Sequence, residues 1–163
     1  MYHIWDKLGK FNILKTNRIY GKDRVEFIES VCVGDIKELK KGQATLSLLT
    51  TETGGIIDDT IITNLPDYLN VVFNAGCKLK DIAHIKKVQE EKFANKDIRI
   101  EYIDRSLIAL QGPKAAKALQ SLVAANLSNL SFMEAIEMEI PHINEKALVS
   151  RCGYTGNNSH YLY

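Results

Sequence analysis

An α+β fold, a mixed antiparallel sheet with helices, follows from three features of the 163-residue sequence. Apolar, β-branched runs stand in adjacent pairs around short glycine-containing breaks, which is hairpin patterning. Apolar residues at helical spacing are confined to short, separate stretches. Strands and helices do not alternate one for one, as a doubly wound parallel sheet would require.

The elements follow in order. FNILKTNRIY (11–20) reads as a strand closed by Gly21. In DRVEFIESVCV, Val25, Ile28 and Val31 fall on one face of a short amphipathic helix. Gly34-Asp35 breaks it, and a further turn runs to Lys40. QATLSLLT (43–50) and IIDDTIIT (56–63) flank Thr53-Gly54-Gly55 as a hairpin, and YLNVVFNAG (68–76) returns after Leu65-Pro66-Asp67. Residues 43–76 are therefore expected to form a three-stranded meander. Ile82, Ile85 and Val88 mark a helix between Lys78 and Phe93. IRIEYI (98–103) alternates as a half-buried strand, and SLIALQ (106–111) is the next. Gly112-Pro113 opens a helix, with proline at its first position, that AAKALQSLV carries onward. Segments 134–140 and 146–152 suit two more strands.

Composition narrows the function. With 45% hydrophobic and 25% charged residues the chain is an ordinary globular sequence, able to bury a core without disulfides or metals. Twenty-one basic residues against 20 acidic ones leave no basic excess to attract nucleic acid. No apolar run approaches a membrane span. Cys32, Cys77 and Cys152 are odd in number, widely spaced and without a CxxC, which argues against a disulfide framework or zinc knuckle and for a reducing compartment. MYHIWDKLGKFNILK lacks the apolar core and cleavage site of a secretory signal, and is too poor in Arg and Ser for a mitochondrial presequence.

His3, His84, His142 and His160 show no metal-ligand spacing, and GxGxxG, GxxxxGK[ST] and GxSxG are absent, so no metal, nucleotide-cradle or hydrolase-elbow chemistry is expected. The unusual feature is Asp58-Asp59 inside an apolar strand. Neighbouring strand residues face opposite ways, so one carboxylate is expected toward solvent and the other toward the interior or a cavity. A buried carboxylate is costly unless partnered and so marks a site, whereas two aspartates near a hairpin end are also ordinary turn chemistry. Asn74, in Asn74-Ala75-Gly76-Cys77, reads either as a helix-start cap or as a ligand-facing amide. Cys77 has no neighbour to activate it. Arg151-Cys152-Gly153-Tyr154-Thr155-Gly156 sets a phenol between glycines, as in a plain turn or a loop that approaches a ligand closely.

Together, GKDRVEFIES with VGDI, then GGIIDD, VVFNAGCKLKD, LIALQGPKAA and SRCGYTG resemble, in this order, the N-terminal part of the aminomethyltransferases, the T-protein of the glycine cleavage system. The resemblance covers roughly residues 14–156. It implies that 1–163 is part of a folate-binding aminomethyltransferase domain. It further implies transfer of the one-carbon unit from the aminomethyl-lipoyl arm of H-protein to tetrahydrofolate, with release of ammonia. No metal, nucleic acid or membrane is implied. The mitochondrial matrix is the implied location in a eukaryote, the cytoplasm otherwise. Asp59 would be the functional acid, pointing into a cavity near the reacting pterin nitrogens, and Asn74 and Tyr154 would line the folate pocket.

The sequence also departs from the family. After GYTG the family carries an acidic pair, Gly, an aromatic residue and a pterin-gripping Glu; here the run is Asn157-Asn158-Ser159-His160-Tyr161, so Tyr161 takes the Glu position. Tyrosine supplies no carboxylate. The family's extreme N-terminal segment and later half are expected to be missing, which predicts little activity for this chain by itself. Two other readings stand beside the enzyme. One is a non-catalytic folate-binding or scaffold relative, although the cysteine motif of the iron–sulfur-assembly branch is not matched at Arg151-Cys152-Gly153-Tyr154. The other is the folate-binding portion of a dimethylglycine or sarcosine dehydrogenase.

Overall fold

The computed structural model describes residues 14–103, 107–110, 112–141, 145–153 and 159–162. They fall into two compact units, one within Ile13–Arg105 and one within Ser106–Tyr163.

The first unit is a five-stranded antiparallel sheet with two helices. Its elements are β1 (Leu14–Tyr20), α1 (Arg24–Glu29), β2 (Ala44–Thr50), β3 (Ile56–Asn64), β4 (Leu69–Asn74), α2 (Lys78–Lys92) and β5 (Arg99–Tyr102). The strand order β2-β3-β4-β1-β5 contains the expected meander, with β1 inserted between β4 and β5. Leu49, Ile62, Val71, Phe73 and Ile85 are buried together with Ile19, Phe27 and Ile28, so one sheet face closes over α1 and α2. Each such side chain contributes roughly 1.5–3 kcal/mol by leaving water. In α1 it is Phe27 and Ile28 that are buried, while Val25 is only partly so.

Gly21 turns the chain out of β1 at φ +103°, and a Cβ there would lie 1.9 Å from the Asp97 carbonyl oxygen. The same corner is tied by the Asp97 amide, which donates to Asp23 Oδ2 at 2.8 Å. No side chain but hydrogen fits, and this joins the start of α1 to the turn before β5.

The second unit is a four-stranded antiparallel sheet in the order β6-β9-β8-β7. Its elements are β6 (Ile108–Leu110), α3 (Ala115–Gln120), a 3₁₀ turn (Leu127–Asn129), β7 (Glu134–Ile140), β8 (Glu145–Cys152) and β9 (Ser159–Leu162). Leu119, Leu130, Met138, Ile140 and Val149 form its core. Helix α3 starts at Ala115, not at Pro113 as expected, because Gly112 at φ +110° and the bond from the Ala115 amide to the Gly112 carbonyl (3.0 Å) close a turn first. Strand β9 has no counterpart in the sequence reading. The expected mixed antiparallel α+β architecture is what the chain adopts.

Candidate functional site

The candidate site lies where β3 leaves the hairpin and β4 runs into α2. Thr51 fixes that hairpin: its amide donates to the Gly55 carbonyl at 2.8 Å, and its Oγ1 accepts from the Gly55 amide at 2.9 Å. Gly54 takes φ +82° between them, a conformation that favours glycine.

Pairing decides which way each aspartate faces. Asp58 stands opposite Leu49, and Ile62 opposite Val71, so Asp58, Thr60 and Ile62 share the face that α2 covers. Asp59 stands opposite Leu48 and shares the other face with Ile61, which pairs with Val72. The register shifts between Leu49 and Thr50, adding one residue to β3 beside Asp58. That bulge lets Ile57 pack against the same core as its neighbour Asp58.

The outcome corrects one expectation. Asp58 is the half-buried carboxylate and Asp59 is exposed; Asp59 does not sit in an enclosed cavity of its unit. The physical reason is the parity imposed by Leu49 and Ile62, which turns the Asp58 side toward the core.

Asn74 ends β4 on the same face as Asp59, since Asn74 follows Val72 by two residues as Asp59 precedes Ile61 by two. Its Nδ2 donates to Asp59 Oδ1 at 2.8 Å and reaches Asp58 Oδ1 at 3.1 Å and Oδ2 at 3.2 Å. The cap reading of Asn74 is not what the structure shows: the start of α2 carries no side-chain cap bond, and the amide is spent on the two carboxylates. One amide thus holds two adjacent carboxylates that would otherwise repel.

A residue not singled out in the sequence completes the cluster. Asp81, in the first turn of α2, is 0% exposed, and neither of its carboxyl oxygens has a hydrogen-bond donor. Burial first, then the facing charge of Asp58, pushes its carboxyl up to about 7. A signal was present: Asp81, Ile85 and Val88 are spaced i, i+4, i+7, so a carboxylate occupies the helix's own apolar stripe. Lys80 beside it sends Nζ to the Ile57 carbonyl at 2.6 Å.

The other expected residues belong to the segment after Ser106. Tyr154 lies outside the described residues. Tyr161 is in β9 of the second unit, in register with Ala109 and Ser150. Cys152 is buried there, and burial pushes its thiol up to about 12, an inert thiol at neutral pH. Among the described residues no group of three or more His, Cys, Asp or Glu is placed to hold a metal, and no helix is long and apolar enough to cross a membrane.

The arrangement can do two things. The exposed Asp59 carboxylate, aimed by an amide, accepts N–H donors and favours positive charge developing nearby. The buried Asp81 carboxyl behind it, facing the half-buried Asp58, is sensitive to protonation.

Fold and site together define an antiparallel-sheet α+β protein with an amide-held carboxylate pair at a strand end. The model of the GCVT N-terminal domain matches residues 8–163, and the chain belongs to that family. It is 48% identical over 143 residues to a mitochondrial aminomethyltransferase of Homo sapiens, covering 86% of this chain and 35% of that protein. Against its counterpart in Dictyostelium discoideum it is 45% identical over 163 residues, covering 96% of this chain and 40% of the relative. Its structure is similar to the crystal structure of glycine cleavage system aminomethyltransferase T from Bartonella henselae, with a TM-score of 0.79 at 31% identity over 91% of this chain and 39% of that one. The chain thus spans about two fifths or less of the length of these relatives.

Proposed function

We propose that this chain supplies the folate-facing N-terminal portion of a tetrahydrofolate-dependent aminomethyltransferase of the glycine cleavage system. Its substrates would be the aminomethyl group on the lipoyl arm of H-protein and tetrahydrofolate, its products ammonia and 5,10-methylenetetrahydrofolate. The location that accompanies this reading in a eukaryote is the mitochondrion, as in the names of the relatives.

The observation that carries the reading is the 2.8 Å bond from Asn74 Nδ2 to Asp59 Oδ1. The bond orients a carboxylate that is open to solvent, where a pterin's N–H groups can reach it. In this role Asp59 binds and orients the folate and stabilises positive charge as nitrogen attacks carbon. Asn74 aims the carboxylate, and Tyr154 would line the folate pocket by its match to the family's position. Tyr161, in the position of the family's Glu, is a donor where an ionic acceptor is expected. This favours a weaker grip on the pterin and is the feature that supports a non-catalytic folate-binding relative as the second reading.

Calorimetric titration of the chain with tetrahydrofolate tests binding. Asn74→Ala is expected to weaken it by about tenfold or more, the worth of roughly 1.5–3 kcal/mol for hydrogen bonds to a charged group. Equal affinity in the variant and the wild type rejects the assignment of this site.

A further inference from the structure

The roles given to Asp59 and Asn74 leave Asp81 without a task. Among the described residues it is the charged one that is buried, and both of its oxygens lack a donor. Asp58 stands on the sheet face that α2 covers, and its charge bears on the buried Asp81 carboxyl. Two facing carboxylates repel and have no hydrogen to share. One proton converts that clash into a short O–H···O⁻ bond. The groups facing Asp81 are Asp58 and Asp59 from β3, Lys80 from its own helix, and the neutral amide of Asn74 beyond Asp58. Lys80 already donates to the Ile57 carbonyl, so it is not a dedicated counter-ion for the pair.

We propose that Asp81 is a positioning residue: it holds a proton at neutral pH, donates it to Asp58, and thereby sets how the Asn74 amide is divided between Asp58 and Asp59. With the proton in place an Asp58 oxygen is engaged from behind, and Asn74 keeps its shorter bond to Asp59. When the proton leaves, Asp58 becomes a full competitor for the amide and Asp59 loses its orientation. The raised Asp81 carboxyl, at about 7, agrees with this order of events. The consequence for folate handling rests on the function proposed above; the proton and its effect on Asn74 do not.

The test uses the 163-residue chain labelled with ¹³C in the aspartate carboxyls and ¹⁵N in the asparagine amides. NMR spectra are followed from about pH 5 to about pH 9, the range that brackets a group poised near neutrality. One aspartate carboxyl should titrate with a midpoint near the value of about 7, and the Asn74 Nδ2 resonance should move with the same midpoint. Asp81→Asn keeps the shape and a donor N–H, and should abolish both steps. Asp58→Asn removes the facing charge and should move the remaining midpoint downward. His84, the next titratable group along α2, is shifted down by burial; His84→Gln should leave both steps in place. No aspartate titrating in this range, or an Asn74 step that persists in Asp81→Asn, overturns the proposal. Both steps in a chain that binds no tetrahydrofolate at any pH would uphold the shared proton and reject the folate reading.

Discussion

Each unit of the chain buries an apolar core of its own, the larger in the first, and the two differ in what else they bury. Among the described residues, Thr16, Asn17, Ser47, Thr60, Thr63, Asn64, Asn70 and Asp81 are buried polar side chains of the first unit, against Ser150 in the second. A buried polar group costs about 1–3 kcal/mol unless it is hydrogen-bonded. The first unit meets part of that demand with specific partners: Thr60 Oγ1 donates to the Val72 carbonyl at 2.8 Å, and Asn64 Nδ2 to that of Leu39 at 2.6 Å, whereas the Asp81 carboxyl and Asn70 Nδ2 have none. Its geometry is therefore fixed by directional bonds, and that precision surrounds the Asp58–Asp59–Asn74 cluster. The second unit rests on side-chain packing, which tolerates substitution better as long as volume is kept. The difference gives the first sheet directional bonds around its carboxylate cluster and leaves the second held mainly by apolar packing.

The largest effects should come from the two cores, and they separate the units. Ile62→Ala and Leu119→Ala each empty a fully buried site and should cost roughly 2–5 kcal/mol in denaturant unfolding. Ile62 shares a strand face with Asp58, so its loss should also shift the Asn74 amide resonance. Leu119→Ala should leave that resonance unmoved, and a shift there would break the division of labour.

A second difference concerns pH. The Asp81 carboxyl is raised in the folded state from 3.8 to about 7, so the folded chain holds a proton that the unfolded chain has lost between those values. Stability must then fall as pH rises from about 4 to about 7, by roughly 4 kcal/mol at most, and level off above. Asp81→Asn should remove that slope in urea melts recorded across the range. In the second unit Cys152, raised to about 12, remains a neutral thiol throughout and adds none. A wild-type slope matching that of Asp81→Asn would show that Asp81 is already ionised.

The smallest effect sharpens the contrast in polar burial. Thr60→Val deletes a buried hydroxyl with a 2.8 Å partner and should cost about 1–2 kcal/mol. Ser150→Ala removes a hydroxyl whose contact is Cys152 Sγ at 4.0 Å, and should cost measurably less. Equal losses in thermal unfolding would mean that hydrogen bonding does not distinguish the two sheets.

Much of the first unit was legible because its signals are local. Gly54-Gly55 between two β-branched runs announces the hairpin, and Ile82, Ile85 and Val88 announce α2. Strand β9 was not legible, since its pairing with β6 and β8 is a tertiary contact that overrides the weak propensity of Ser-His-Tyr-Leu. The pair Asp58-Asp59 drew attention as composition, but which one faces inward depends on a register and a bulge that no short pattern encodes. The bond between Asn74 and Asp59 spans 15 residues and appears only once β3 and β4 are aligned. Asp81 was hidden by the assumption that an apolar stripe is apolar throughout.

The account rests on Asp59, rather than Asp58, being the carboxylate that meets the reaction. The direct test is tetrahydrofolate-dependent ammonia release from aminomethyl-loaded H-protein. It is measured on a chimera in which this chain replaces the matching segment of the Dictyostelium discoideum relative. Asp59→Asn should lower kcat by about 100-fold or more while KM for tetrahydrofolate changes far less, because the charge acts mainly in the transition state. Asp58→Asn, whose side chain is turned toward Asp81, should cost much less. Turnover that survives Asp59→Asn unchanged, or that falls further with Asp58→Asn, would contradict the assignment.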